Sequence, residues 1–165
     1  MNIRLTNRMV SGTIKSPHFP YWYMNNLDCQ WLIRAKDKRH GIKLTIDWMS
    51  TQDRSVLWYK ILIEIKNIFP TRFELIFTFI FDSMDRLYIY DGPNANSSTI
   101  SGSGSFLSGQ VAGLNNYPNV VLTSRNQHVF LRFITDEKNT HPGFRIHYEQ
   151  GKYFNLPYKF RMMHF

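Results

Sequence analysis

At 165 residues the chain has room for one domain with a sizeable buried core, and a formal net charge of +8 raises a nucleic-acid partner. The charge sits in the wrong place for one. Residues 1–11, 54–81 and 151–165 carry all but one unit of it, so the strand-rich remainder offers no basic face to a phosphate backbone. Thirteen Phe, nine Tyr and four Trp favour pleated, half-buried surfaces, and no apolar run reaches the roughly 18 residues of a membrane-spanning helix.

Taken in order, Met1 to Thr6 lacks the apolar core of a signal peptide, and residues 1–11 are expected to form an N-terminal extension. The chain is therefore either intracellular or a piece of something longer. Gly12 to Ser16 makes a strand-like stub that breaks at Pro17, and Phe19-Pro20-Tyr21-Trp22-Tyr23 follows as an extended aromatic loop. Cys29, Trp31 and Ile33 alternate onto one side of the next strand. After the polar turn of residues 36–41, Ile42, Leu44 and Ile46 alternate with Lys43, Thr45 and Asp47.

Residues 54–81 break this pattern, with no clean period, no glycine, and Pro70 in the middle. They read either as an inserted hairpin or as translated intron, since their Ile, Phe, Lys, Asn and Tyr are what A/T-rich codons encode. The Gly151-Lys152-Tyr153-Phe154 start of the tail raises the same question, because a splice-donor-like sequence would encode it. From Asp85 the pattern resumes. Leu87 and Ile89 oppose Arg86, Tyr88 and Tyr90, ending at Asp91-Gly92, a turn pair expected to use a positive φ at the glycine. Residues 94–98 and 101–105 are loops by composition. Val120 to Leu122 is a short buried run. Val129, Leu131 and Phe133 alternate, as do Phe144, Ile146 and Tyr148. Short strands between turn signals imply an all-β sandwich.

Catalytic and metal motifs are thin. The histidines form no His-x-x-x-His or Cys/His cluster, no serine elbow is present, and Ser101 to Ser105 lacks the lysine of a phosphate loop. No enzyme is expected. The single cysteine, Cys29, cannot form an internal bridge, and in an apolar strand its thiol should be inert. Asn96-Ser97-Ser98 is a glycosylation sequon in a loop.

In order, the chain reads Gly12, Ile14, Ser16, Pro17 and Pro20; Cys29, Trp31 and Ile33; Asp85, Leu87, Ile89, Asp91 and Gly92; Phe133, Thr135 and Asp136; Gly143, Phe144 and Tyr148. The set resembles the CUB domain, with Thr135 where that family usually has serine. The Tyr90-Asp91-Gly92 spelling and the Ser-Gly loop after it are similar to the CUB modules of attractin-type proteins.

The resemblance implies a CUB-type antiparallel, jelly-roll-like β-sandwich over residues 12–150, with an atypical insert at 54–81 and a non-family, irregular tail at 151–165. It also implies an extracellular setting, secreted or as the ectodomain of a larger protein, and recognition of a protein or glycan ligand. The alternatives are an accessory domain of a secreted protease, or a fragmentary gene model without independent function. The family's two disulfides are not matched beyond Cys29. Many CUB domains bind Ca²⁺ and dock a basic partner side chain there. The resemblance places ligands at Asp85, Asp136 and Asn139. In the neighbourhood of the family's usual Glu stand Gln52 and Asp53, with Glu74 a candidate if the insert replaces the native loop. Asp85 and Asp136 are thus expected either as calcium ligands or as turn caps accepting backbone N–H bonds.

Overall fold

Alternating side chains can be buried on one face only if a second layer covers them, and here the strands divide into two facing sheets. The computed structural model describes residues 1–6, 8–52, 85–100, 107, 110–112 and 119–151. Its strands are β1 (Asn2–Arg4), β2 (Ser11–Lys15), β3 (Asp28–Arg34), β4 (Gly41–Ser50), β5 (Arg86–Tyr90), β6 (Gln110–Ala112), β7 (Val120–Thr123), β8 (His128–Ile134) and β9 (Gly143–Gly151). One sheet runs β1-β3-β8-β5. In the other, β2-β9-β4 are joined along the far edge of β4 by both β7 and β6. All pairings are antiparallel except β1 with β3, and no helix occurs among the described residues. The expected sandwich is what the chain forms.

Trp31, Ile33, Leu87, Ile89, Val129, Leu131 and Phe133 of the first sheet meet Ile14, Ile42, Leu44, Ile46, Leu122, Phe144 and Ile146 of the second in one core. Edge-to-face aromatic contacts cross it. Trp31 meets Phe144 at 5.9 Å, Phe144 meets Phe133 at 5.1 Å, and Phe133 meets Tyr23 at 5.1 Å. Each such pair adds about 1 kcal/mol beyond its area. The series ends at Tyr23, which it holds at one end of the sandwich.

Three details differ from expectation. The first residues are woven into the fold: β1 lies parallel to β3, with Ile3 and Leu5 buried and the Leu5 N–H bonded to the Arg34 carbonyl. Two apolar residues at strand spacing suffice to pin such a short segment, too short to show a period by itself. Second, β4 carries a bulge, in which Ile46 pairs with Ile146 but Trp48 with Arg145, leaving Asp47 as the extra residue. The phase flips there, so Met49 and Thr51 turn inward where strict alternation would send Trp48 and Ser50. Third, Gly92 does not use a positive φ. It is needed because a Cβ there would stand 2.3 Å from Ser97 Oγ. The insert at 54–81 and the tail beyond Gly151 lie outside the described residues.

Candidate functional site

The end of the sandwich reached by Tyr23 collects four segments: the β2–β3 loop, the residues just after β4, the start of β5 and the β8–β9 loop. Asp85 stands at the head of β5, fully buried. Its Oδ2 accepts from the Tyr23 hydroxyl and its Oδ1 from the Asp136 N–H at 3.0 Å. Burial pushes the Asp85 carboxyl above the usual aspartate range. The Tyr23 hydroxyl and the Asp136 N–H oppose that rise, and the negative charge of Asp136 adds to it. Burial, then the hydrogen bond to Asp85, pushes the Tyr23 hydroxyl far above its ordinary range, so it remains a donor.

Asp136 is half-buried and follows β8 after Thr135. Its Oδ1 accepts from the Lys138 N–H at 2.7 Å, and its carbonyl accepts from the Asn26 N–H at 2.7 Å. The Thr135 hydroxyl accepts from the Leu27 N–H at 2.8 Å and donates to the Met24 carbonyl at 3.1 Å, so the hydroxyl at this position ties the β2–β3 loop to β8. The Tyr23 N–H donates to the His141 carbonyl at 3.0 Å, and the Asn25 amide donates to the Glu137 carbonyl at 2.8 Å. Asn139 adopts φ 55°, a left-handed conformation that asparagine tolerates.

Gln52 completes the cluster. Its N–H donates to the Tyr23 oxygen at 3.1 Å. Hydrogen bonding assigns its side-chain nitrogen to the Asp136 side, at 3.0 Å from Oδ2, 3.3 Å from Oδ1 and 3.1 Å from the Lys138 carbonyl. Its oxygen then accepts from the Asn139 amide at 3.2 Å. The opposite orientation would set that oxygen against three acceptors.

Asp85, Asp136 and Asn139 thus lie at one end of the sandwich, with Gln52 among them, whereas Asp53 and Glu74 lie outside the described residues. Calcium takes six to eight oxygens and favours several carboxylates. Two carboxylates meet here, both accepting protein hydrogens, and among the described residues no group of three His, Cys, Asp or Glu side chains converges. The described donors alone do not make a calcium shell. Tyr23 carried no sequence signal beyond its place in an aromatic loop. Asn96 is exposed in the loop after β5, at the opposite end of that strand from Asp85. Cys29 is half-buried against the core, where burial, then Asp28, raises its thiol pKa.

Solved structures share this sandwich. The full extracellular region of zebrafish Gpr126/Adgrg6 matches with a TM-score of 0.55 at 18% identity, over 90% of this chain and 14% of that one. The CUB1-EGF-CUB2 segment of human MASP-1/3 matches with a TM-score of 0.55 at 16% identity, over 92% of this chain and 41% of the other. The chain spans less than half the length of either. The MASP-1 CUB2 domain bound to Ca²⁺ matches with a TM-score of 0.50 at 15% identity, over 89% of this chain and 96% of that domain. The family model for the CUB domain matches residues 5–72. That match covers less than half of the chain; together with the shared sandwich it makes the chain similar to CUB domains in sequence over residues 5–72 and in fold over the described strands.

Proposed function

We propose that the chain is an extracellular, non-enzymatic module that binds a protein ligand at the Tyr23–Asp136 end of the sandwich. CUB domains are generally non-catalytic binding modules, and one similar structure is an extracellular region by its own description. The observation that carries the reading is the β2–β3 loop, which exposes 77% of Tyr21, 64% of Trp22 and 54% of Met24. These side chains project from a backbone tied down at Tyr21 to the His18 carbonyl, at Tyr23 to His141 and at Asn26 to Asp136. Trp22 also stacks on His141, with ring centroids 6.0 Å apart. Aromatic residues on a pre-ordered loop bury large area on binding at little entropic cost. Asp136 and exposed Glu137 stand on the neighbouring loop, favouring a ligand with a basic residue beside an apolar one.

Asn96 at the opposite end is the proposed glycan acceptor, placed so that the modification leaves the binding end clear. Binding of the full chain to panels of purified secreted proteins and ectodomains tests the reading. At least one should bind, and Tyr21→Ala with Trp22→Ala should weaken it by about tenfold or more. Val121→Ala, exposed on β7, should not. Failure of the whole panel, or equal binding by the loop variant, would overturn the reading.

A further inference from the structure

A cation at the end of a sandwich does mechanical work, drawing oxygens from several loops to one point. In this chain a single residue stands where that work is done. The Gln52 side chain ties the end of β4 to the β8–β9 loop through Asp136, Lys138 and Asn139, while its backbone N–H donates to Tyr23 of the β2–β3 loop. Its amide is both donor and acceptor, which suits it to this place. The nitrogen serves the carboxylate and the carbonyl, and the oxygen serves the Asn139 amide.

We infer that the Gln52 amide is a built-in substitute for a bound cation, holding the loops at this end of the sandwich together without calcium. Among the described residues, both carboxylates that a cation would recruit are already engaged by protein hydrogens. Asp85 takes the Tyr23 hydroxyl and the Asp136 N–H, and Asp136 takes the Lys138 N–H and the Gln52 amide. For calcium to enter between Gln52 and Asp136, the amide must turn over, losing its bonds to Asp136, to the Lys138 carbonyl and from Asn139 together. A glutamate at this position has no hydrogen to give. It would set one carboxylate against another at about 3 Å, an arrangement stabilised only by a shared proton, at a cost at neutral pH, or by a cation.

Thermal melting of the full chain in EDTA and in millimolar CaCl₂, with MgCl₂ as control, tests the inference without any partner, so its outcome is separate from that of the binding reading. The wild-type midpoint should be the same in all three. Gln52→Glu should melt roughly 5 °C lower in EDTA and recover in CaCl₂. Gln52→Met, which removes the donor without adding charge, should melt lower than wild type and remain blind to calcium. If Gln52→Glu fails to fold in EDTA but folds in CaCl₂, the inference also stands. A wild-type midpoint that rises with CaCl₂ overturns it, whether or not Asp53→Asn abolishes the rise. Gln52→Met as stable as wild type in EDTA overturns it equally.

Discussion

The hydroxyl of Tyr23 donates to the carboxylate of Asp85, 62 residues away in the chain and fully buried at the head of β5. This bond joins the β2–β3 loop, which bears the exposed aromatic side chains, to the strand in the middle of the family pattern. Around it, Gln52 and Asp136 close a ring of donors and acceptors. Tyr23→Phe keeps the ring packed on Phe133 but removes a donor from a buried carboxylate and an acceptor from the Gln52 N–H. A loss of about 2 kcal/mol is expected, measured by urea unfolding. A variant within experimental error of wild type would show that the hydroxyl is dispensable.

The same pair sets a pH dependence. Burial raises the Asp85 carboxyl in the folded chain above its ordinary value of 3.8. The folded state therefore holds this proton to higher pH than the unfolded state does. The contribution of Asp85 is fully present below pH 3.8 and is lost as pH rises through the folded value. Asp28, paired with Arg132, and Asp37, held at about 2 chiefly by His40, act in the opposite sense, losing their contribution as pH falls. Stability of Asp85→Asn relative to wild type should therefore climb with pH across the window above 3.8 and then level off. A relative stability that falls with pH would contradict the burial of this carboxyl.

Much of this end was legible in the residues, and the unread parts share a cause. Leu87 and Ile89, or Val129, Leu131 and Phe133, announce their strands because five to seven residues suffice for an alternation to show. Asp85 and Asp136 could be brought together because the motif around each belongs to a recognisable order. The bulge at Asp47 has no local signature, since its effect is a change of phase that only partner strands reveal. Gln52 was visible as a residue but not as an amide facing a carboxylate, because that depends on a loop some 85 residues later in the chain. Ile3 and Leu5 belong to a strand shorter than any period.

Gly143 opens β9 at φ 87°, and a Cβ there would stand 1.8 Å from Ser16 Oγ. Two separate penalties follow for Gly143→Ala, backbone strain and displacement of the Ser16 hydroxyl that accepts from the Phe144 N–H at 3.0 Å. A loss of about 3 kcal/mol or more is expected. Adding Ser16→Ala should remove the 1.8 Å contact but leave the Ser16 Cβ at 2.8 Å and the backbone strain, so the double variant should regain part of the loss and remain below Ser16→Ala alone. Full recovery would mean that φ does not matter at this position.

The Cys29 thiol faces the core beside Phe133, and burial raises its pKa. Both effects oppose formation of an accessible thiolate. Iodoacetamide at mildly alkaline pH should modify the folded chain slowly and the urea-unfolded chain quickly, as followed by intact mass. Equal rates would indicate that β3 does not shelter the thiol.

The β4 bulge separates geometry from charge. Arg145 Nε lies 3.0 Å from both Asp47 carboxylate oxygens, a partly exposed pair that Asp47→Ala should remove at a cost of about 1 kcal/mol or less. Deleting residue 47 tests the bulge itself. Trp48 would then follow Ile46 directly and still face Arg145, so Met49 and Thr51 stay inward and Gln52 keeps its partners, with a regular ladder in place of the bulge. The deletion should therefore cost little more than Asp47→Ala, about 1 kcal/mol, in a urea titration, and keep the near-ultraviolet dichroism of the wild type. Loss of cooperative unfolding, or a cost of several kcal/mol, would show that the bend and twist of the bulge, and not register alone, aim Gln52 at Asp136.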